Sequence, residues 1–109
     1  MKMILVNNQP EFDALCANPP SELTEVVIAG DIPRIDKTPA NSQIIIFGDA
    51  KIGWVFSNAQ IDRVYGNAKI HWVCDNAKID WVSGNARIDR VYGNAKIDSV
   101  LDNAKIGSV

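Results

Sequence analysis

The chain has 109 residues, 47% of them hydrophobic and 22% charged, with 11 basic against 13 acidic side chains and a net charge of −2. This length allows one domain, and the composition is that of a folded globular chain rather than a disordered one. The net negative charge argues against a general electrostatic attraction to nucleic acid, so direct nucleic-acid binding is not expected. The longest apolar runs, at 26–29 and 44–47, are strand-sized and too short to cross a bilayer, so no membrane association is expected.

The first segment, residues 1–25, is predicted to be a cap that contains a short helix. Residues 1–6 carry one positive charge but no long apolar stretch and no cleavage site, so a signal peptide is not expected. Asn7 and Asn8 precede an amphipathic stretch that ends at Asn18 before two prolines, a pattern typical of a helix with an asparagine N-cap. This helix is expected to cover the first coil of a stacked fold, because an open end exposes apolar surface and unpaired strand edges.

Residues 26–47 are predicted to form an imperfect first coil. Their apolar run at 26–29 is followed by Gly-Asp, and the same pattern returns eighteen residues later at 44–49. Pro33 and Pro39 are predicted to lie in loops of this coil.

From Gly48 to Val109 the chain repeats every nine residues, as GDAKIGWVF, SNAQIDRVY, GNAKIHWVC, DNAKIDWVS, GNARIDRVY, GNAKIDSVL and DNAKIGSV. The Ala-Lys-Ile triplet alternates inward and outward as a strand does, and the Gly-Asn pair marks a turn. Glycine or asparagine at every ninth position is incompatible with a helical period, and the β-branched residues favour strands. Residues 48–109 are therefore predicted to form an all-β, parallel β-solenoid of nonapeptide repeats.

The number of repeats in one coil has two possible answers. The N-terminal pattern indicates eighteen residues per coil, whereas residues 61–70 recur unchanged at 88–97, an offset of 27. A recent gene duplication would produce the second pattern without structural meaning, so eighteen is predicted. The Ala, Ile and Val columns then face inward, and the repeated asparagines form structural ladders at the corners, where asparagine tolerates left-handed backbone.

The outward positions carry charges and aromatic rings. Lys51, Lys69, Arg87 and Lys105 form a cationic column, and Asp62, Asp80 and Asp98 are expected to run beside cations and largely neutralise them. The aromatic side chains either shield a thin core or form a binding surface, since rings and arginines on a rigid scaffold are typical of binding hot spots. The candidate binding residues are Trp54, Phe56, Arg63, Tyr65, Trp72, Trp81, Arg90 and Tyr92.

Little in the sequence points to catalysis, metal binding or a cofactor. His71 is the only histidine, and it occupies a repeat position that elsewhere holds aspartate, so it is interpreted as a solvent-facing variant. The repeats lack the acidic ligand position of calcium-binding nonapeptides. Cys16 and Cys74 lie in unlike contexts and are expected to be free thiols in a reducing compartment.

The repeated Gly-Asn-Ala-Lys/Arg-Ile units resemble the GNA-repeat β-solenoid proteins of phages, prophages and bacteria. The resemblance covers residues 48–109 and implies the fold and a mobile-element setting, with no common enzymatic activity. The segment Val64-Tyr-Gly-Asn-Ala-Lys69 also resembles one turn of the hexapeptide acyltransferases, whose period is six residues and whose chemistry would use a histidine base. We therefore expect a non-enzymatic protein of the host cytoplasm that binds and inhibits a host protein or nucleoprotein complex, in the manner of an anti-CRISPR protein. A structural or assembly scaffold is the alternative.

The C-terminal coil is predicted to mediate a homodimer. No helix, proline or charged cluster follows the final repeat in the sequence, so its strand edges are expected to pair with a second copy by two-fold symmetry. The residues expected at this interface are Ile97, Val100, Leu101, Ile106 and Val109.

Overall fold

The structure, a computed structural model, describes residues 2–108, which form two parallel sheets that face each other across a thin apolar core. The elements in chain order are β1 (Lys2–Val6), α1 (Gln9–Ala17), β2 (Thr24–Ile28), β3 (Ile32–Ile35), β4 (Ser42–Ile46), β5 (Lys51–Val55), β6 (Gln60–Val64), β7 (Lys69–Val73), β8 (Lys78–Val82), β9 (Arg87–Val91), β10 (Lys96–Val100) and β11 (Lys105–Ser108). Sheet A has the order β1-β2-β4-β6-β8-β10, and sheet B has the order β3-β5-β7-β9-β11.

Strand register establishes the length of a coil. Lys51 lies opposite Lys69, and Lys69 lies opposite Arg87, so equivalent residues in one sheet are eighteen positions apart. The predicted parallel β-solenoid with eighteen residues per coil is confirmed, and the offset of 27 has no structural counterpart. Coils near the N-terminus are longer: Ile32 lies opposite Ile52, and the chain between β1 and β2 includes the helix.

Side chains alternate within each repeat until the strand bends. In the repeat that contains β7, Ala68, Ile70 and Val73 are all fully buried, as predicted for the Ala, Ile and Val columns. Between the isoleucine and the valine stand two consecutive residues that both face outward, at the sixth and seventh positions of the repeat counted from Gly48. This bend leaves the seventh and ninth positions at a solvent-facing edge of each sheet, where the aromatic residues occur.

At each corner the left-handed backbone belongs to the first residue of the repeat and not to its asparagine. Left-handed backbone occurs at Gly48, Ser57, Gly66 and Asp75, with φ between 55° and 74°, and the prediction of left-handed asparagines is wrong for the repeats. A Cβ at Gly66 would lie 2.9 Å from the Gly48 nitrogen of the coil below, so glycine also permits close stacking there. Where aspartate stands at this position, its carboxylate accepts a hydrogen bond from the coil below: Ser57 N–H donates to Asp75 Oδ2 at 3.1 Å.

The asparagine ladders are built mainly from backbone groups. Asn67 N–H donates to the Gly48 carbonyl at 2.9 Å, and Asn85 N–H donates to the Gly66 carbonyl at the same distance. A side-chain bond also occurs, between Asn85 Nδ2 and Asn67 Oδ1, at 3.4 Å. The structural role predicted for the asparagines agrees with these contacts.

Helix α1 covers one end of sheet B. Asn8 is its N-cap and accepts a hydrogen bond from Glu11 N–H at 2.9 Å, Asn18 is its C-cap, and Phe12 is buried in the core. Gln9 Oε1 accepts a hydrogen bond from Arg34 N–H of the edge strand β3 at 2.9 Å, so the helix partly satisfies that edge. The predicted capping helix is therefore present.

Two N-terminal features differ from expectation. Residues 2–6 form strand β1, which pairs in parallel with β2 and extends sheet A by one strand; the nine-residue pattern does not reach this segment and so does not predict it. Pro33 lies within β3 instead of in a loop, whereas Pro39 does lie in a loop. An edge strand tolerates proline because it can spare one N–H donor.

Candidate functional site

The eight candidate binding residues separate into two groups on opposite sheets. Strand register is the reason, because alternate repeats contribute to alternate sheets. The sheet B group contains Trp54, Phe56, Trp72, Arg90 and Tyr92, and the sheet A group contains Arg63, Tyr65 and Trp81.

Four aromatic rings form one continuous cluster on sheet B, which we call the sheet B aromatic cluster: Trp54, Phe56, Trp72 and Tyr92. The centroids of Trp54 and Trp72 are 4.5 Å apart, Phe56 meets Trp54 edge-on at 6.1 Å, and Trp72 meets Tyr92 edge-on at 6.4 Å. Trp54 is 41% exposed and Tyr92 is 46% exposed. The cluster thus presents a fixed apolar surface with partly free ring faces.

Polar groups within the cluster are few. Cys74 is buried between the coils that carry Phe56 and Tyr92, and its thiol is the main cause that raises the pKa of Tyr92. Among the described residues, the buried Nε1 of Trp72 has no hydrogen-bond partner.

The sheet A group is smaller and more polar. The Arg63 guanidinium lies 5.6 Å from the Trp81 ring centroid in a cation–π contact, and Tyr65 packs against Phe47 with centroids 4.7 Å apart. Burial, and then the nearby Asp80 carboxylate, raise the pKa of Asp62. This edge therefore combines one cation–π pair and one separate aromatic pair with acidic neighbours.

Two residues that lie beside the candidate binding residues, Phe47 and Arg34, were not predicted from the sequence. Phe47 occupies the ninth position of the imperfect coil, directly before Gly48, and could be found by extending the repeat one unit backwards. Arg34 lies opposite Trp54 on sheet B, but the longer N-terminal coil shifts it out of the eighteen-residue pattern.

The charges are arranged differently from the expectation that the cationic and acidic columns neutralise each other. Lys51, Lys69, Arg87 and Lys105 lie in register on sheet B, whereas Asp62, Asp80 and Asp98 belong to β6, β8 and β10 of sheet A. The equivalent sixth position on sheet B is occupied by Gly53, His71, Asp89 and Gly107. The expected neutralisation is therefore wrong for sheet B, because the aspartate column lies across the core.

A groove of about 450 Å³ lies beside the cationic column on sheet B. His71 is exposed, as predicted, and it stands in this groove with its ring stacked on Trp72 at a centroid distance of 4.9 Å. Its Nδ1 donates to Asp89 Oδ2 at 2.8 Å, a pairing across two coils that holds the ring in place. The lining residues are Asp31, Ile32, Pro33, Lys51, Ile52, Gly53, Lys69, His71 and Asp89.

The C-terminal residues predicted at a dimer interface lie on β10, β11 and the turn between them. Val100 and Leu101 are 45% and 44% exposed, whereas Ile97 and Ile106 are half-buried against the core. Val109 lies outside the described residues.

Within residues 2–108, no group of three or more His, Cys, Asp or Glu side chains is placed to hold a metal ion. No helix in that part of the chain has the length and apolar character needed to span a membrane. Cys16 and Cys74 are both unpaired thiols, and burial is the largest of the causes that raise the pKa of Cys16.

The melting temperature is expected to be the same with a chelator as with millimolar calcium, because repeated ligand sets are missing from the described coils. Differential scanning calorimetry of the protein in each condition measures this directly. A calcium-dependent rise of many degrees, with magnesium as the control ion, would contradict the prediction.

Comparison of the chain with family models, with curated protein sequences and with solved structures found no match in any of the three. The fold is therefore assigned from the order and register of its strands: the protein is a parallel β-solenoid with one short N-terminal helix.

Proposed function

We propose that the protein is a non-enzymatic binding module that uses the sheet B aromatic cluster to contact a macromolecular partner. The observation that carries this proposal is the continuous set of rings from Phe56 through Trp54 and Trp72 to Tyr92, partly exposed at the edge of one sheet. Tryptophan, tyrosine and arginine dominate the binding energy of many interfaces.

The same coils argue against rings that serve only to shield the core. Arg90 follows Trp72 in the register of sheet B, yet Ile88 and Val91 of its own strand are only 1% and 6% exposed. The core residues of a coil therefore stay buried without a tryptophan at this position. The ring of Trp54, which is 41% exposed, goes beyond what burial requires, whereas Trp72 beside it is half-buried.

The scaffold beneath the cluster favours tight binding. Neighbouring coils are joined by backbone hydrogen bonds of about 2.9 Å, such as those from Cys74 N–H to the Val55 carbonyl and from Lys69 N–H to the Ala50 carbonyl. Side chains mounted on such strands lose little conformational entropy on binding.

Replacing Trp72 by alanine is expected to weaken partner binding by about 2 kcal/mol or more, because the ring is the centre of the cluster. Trp81→Ala on sheet A is the matched control, since it removes the same side chain from the equivalent repeat position on the opposite face. Calorimetric titration of both variants with the partner gives the two losses, and urea unfolding confirms that each variant is folded. Equal losses at the two positions would contradict a site on sheet B.

The resemblance to GNA-repeat proteins supports a more specific form of this proposal. In that form the protein is encoded by a phage or another mobile element and acts in the host cytoplasm, where it inhibits a host defence complex. Capture of one stoichiometric defence complex from host lysate by the native protein, and not by the Trp72→Ala variant, is the expected result. Loss of that complex's activity on addition of the purified protein would complete the test.

A structural or assembly module is the second candidate function, and the exposure of Val100 and Leu101 beside the edge strands β10 and β11 favours it. If these edges pair, light scattering at micromolar concentration is expected to give about twice the 12.0 kDa chain mass. Val100→Lys combined with Leu101→Lys is expected to return the mass of a monomer, since two buried cations would oppose the contact. A native protein that is already monomeric would exclude this interface.

A further inference from the structure

Sheet B carries two parallel rows of side chains with different chemistry. The first, which we call the cation row, contains Lys51, Lys69, Arg87 and Lys105 at the fourth position of their repeats. The second, which we call the planar row, contains Arg34, Trp54, Trp72 and Arg90, paired in register strand by strand. Neighbouring strands are about 4.8 Å apart, so each row of four is about 14 Å long.

The two rows are rich in cationic side chains although the whole chain is negative. The two rows supply six cationic side chains, and the carboxylates in the adjoining groove are Asp31 and Asp89. Those counts leave a formal surplus of four positive charges on a chain of net charge −2. One of the two carboxylates is already engaged, because Asp89 accepts a hydrogen bond from His71.

Two of the four sixth positions between the rows carry no side chain, and the other two carry His71 and Asp89. Gly53 and Gly107 stand at the sixth position, where sheet A has aspartates. A Cβ at Gly53 would lie 2.3 Å from the Pro33 carbonyl oxygen, so glycine is required there for β5 to approach β3 closely. The result is a shallow groove with lysines along one side, while His71 reaches across to the planar row through its stacking on Trp72.

We propose that this face binds single-stranded nucleic acid, with phosphates along the cation row and bases stacked on the planar row. A single strand presents phosphates and bases as two parallel rows. On β5, β7 and β9 the cation row and the planar row are three residues apart, about 10 Å. Arg34, Trp54 and Arg90 are exposed and can stack on bases, since guanidinium planes stack as aromatic rings do. Trp72 is half-buried, and His71 is stacked on its ring. This inference rests on the proposed binding function and names its partner chemistry.

Other anionic partners fit less well. An acidic peptide would use the cation row but would leave four aligned planar groups without a role. A duplex hides its base faces within the stack, so only the cation row would engage it. The expectation against direct nucleic-acid binding used the net charge of the whole chain, which does not describe the charge of this face.

The test is fluorescence anisotropy of a labelled decathymidylate titrated with the full-length protein at about 50 mM salt, together with quenching of tryptophan fluorescence. Binding is expected to weaken with added salt, with a log–log slope of about −2 to −3, as three or four neutralised phosphates predict. Lys51→Glu combined with Lys69→Glu is expected to weaken binding about ten-fold or more. Lys78→Glu combined with Lys96→Glu, at the equivalent positions of sheet A, is expected to have little effect.

A second pair of variants tests the stacking. Trp72→Ala is expected to weaken binding about ten-fold and to reduce the quenching, to which Trp54 still contributes, whereas Trp81→Ala leaves the affinity nearly unchanged. Circular dichroism melting of all four variants confirms that the folded state is retained.

Several results would overturn the proposal. These are no binding of the decathymidylate at about 50 mM salt, equal losses for the sheet A and sheet B variants, equal affinity for duplex DNA, or equal competition by polyglutamate. If the oligonucleotide does not bind but Trp72→Ala still abolishes capture of a protein partner, the nucleic-acid inference fails and the proposed binding function stands. If neither the oligonucleotide nor a partner depends on Trp72, both fail.

Discussion

Replacing Ile70 by alanine is expected to lower the free energy of unfolding by about 3 kcal/mol. Its side chain is completely buried in β7, at the middle of sheet B, and packs in a column between Ile52 and Ile88. The two sheets are held apart by the coils above and below, so the space left by the missing atoms cannot close fully. Urea unfolding followed by circular dichroism measures the change.

Ile106→Ala is the matched control for that experiment. Ile106 occupies the same column in β11 but is only half-buried, so about half the loss is expected. Equal losses at the two positions would mean that the core is no more tightly packed at its centre than in its last described coil.

Replacing Phe12 by alanine is expected to destabilise the protein by about 3 kcal/mol and to act mainly on the coils beneath the helix. Phe12 is 1% exposed and anchors α1 to the end of sheet B, next to β3. Without this anchor, the edge of β3 and the apolar side chains of Ile32 and Ile35 would meet water. Native-state hydrogen exchange is therefore expected to accelerate more in β3 than in β7.

Leu15→Ala provides the control within the same helix. Leu15 is half-buried and packs at the margin of the core, so a loss of about 1 kcal/mol is expected with little change in exchange of β3. A uniform acceleration across all strands in the Phe12→Ala variant would contradict a local capping role.

The repeat pattern predicted most of the fold because each position of the repeat is either buried in the core, exposed on a sheet or placed at a turn. Isoleucine and valine at fixed positions are buried together when the chain returns after a whole number of repeats, and Ile52 opposite Ile70 shows that this number is two. The helix was also predictable, because Asn8 and Asn18 are local signals that require no tertiary contact.

Features outside the nine-residue pattern could not be predicted in the same way. Strand β1 exists because β2 offers it an edge to pair with, and Pro33 is tolerated in β3 because that strand is itself an edge. The left-handed corner lies at Gly66 rather than at Asn67, and the close stacking of Gly66 on Gly48 involves residues eighteen positions apart.

For the candidate site, composition and spacing determined which residues would face outward, since the inward positions are taken by Ala, Ile and Val. Only the tertiary structure decided which outward residues share a face. Because alternate repeats go to opposite sheets, Trp54 and Trp72 lie beside the lysines of sheet B, and Asp62 and Asp80 lie across the core. The net charge is a property of the sequence alone, whereas the charge of a binding face depends on this sorting, because electrostatic attraction falls off within about 10 Å in salt.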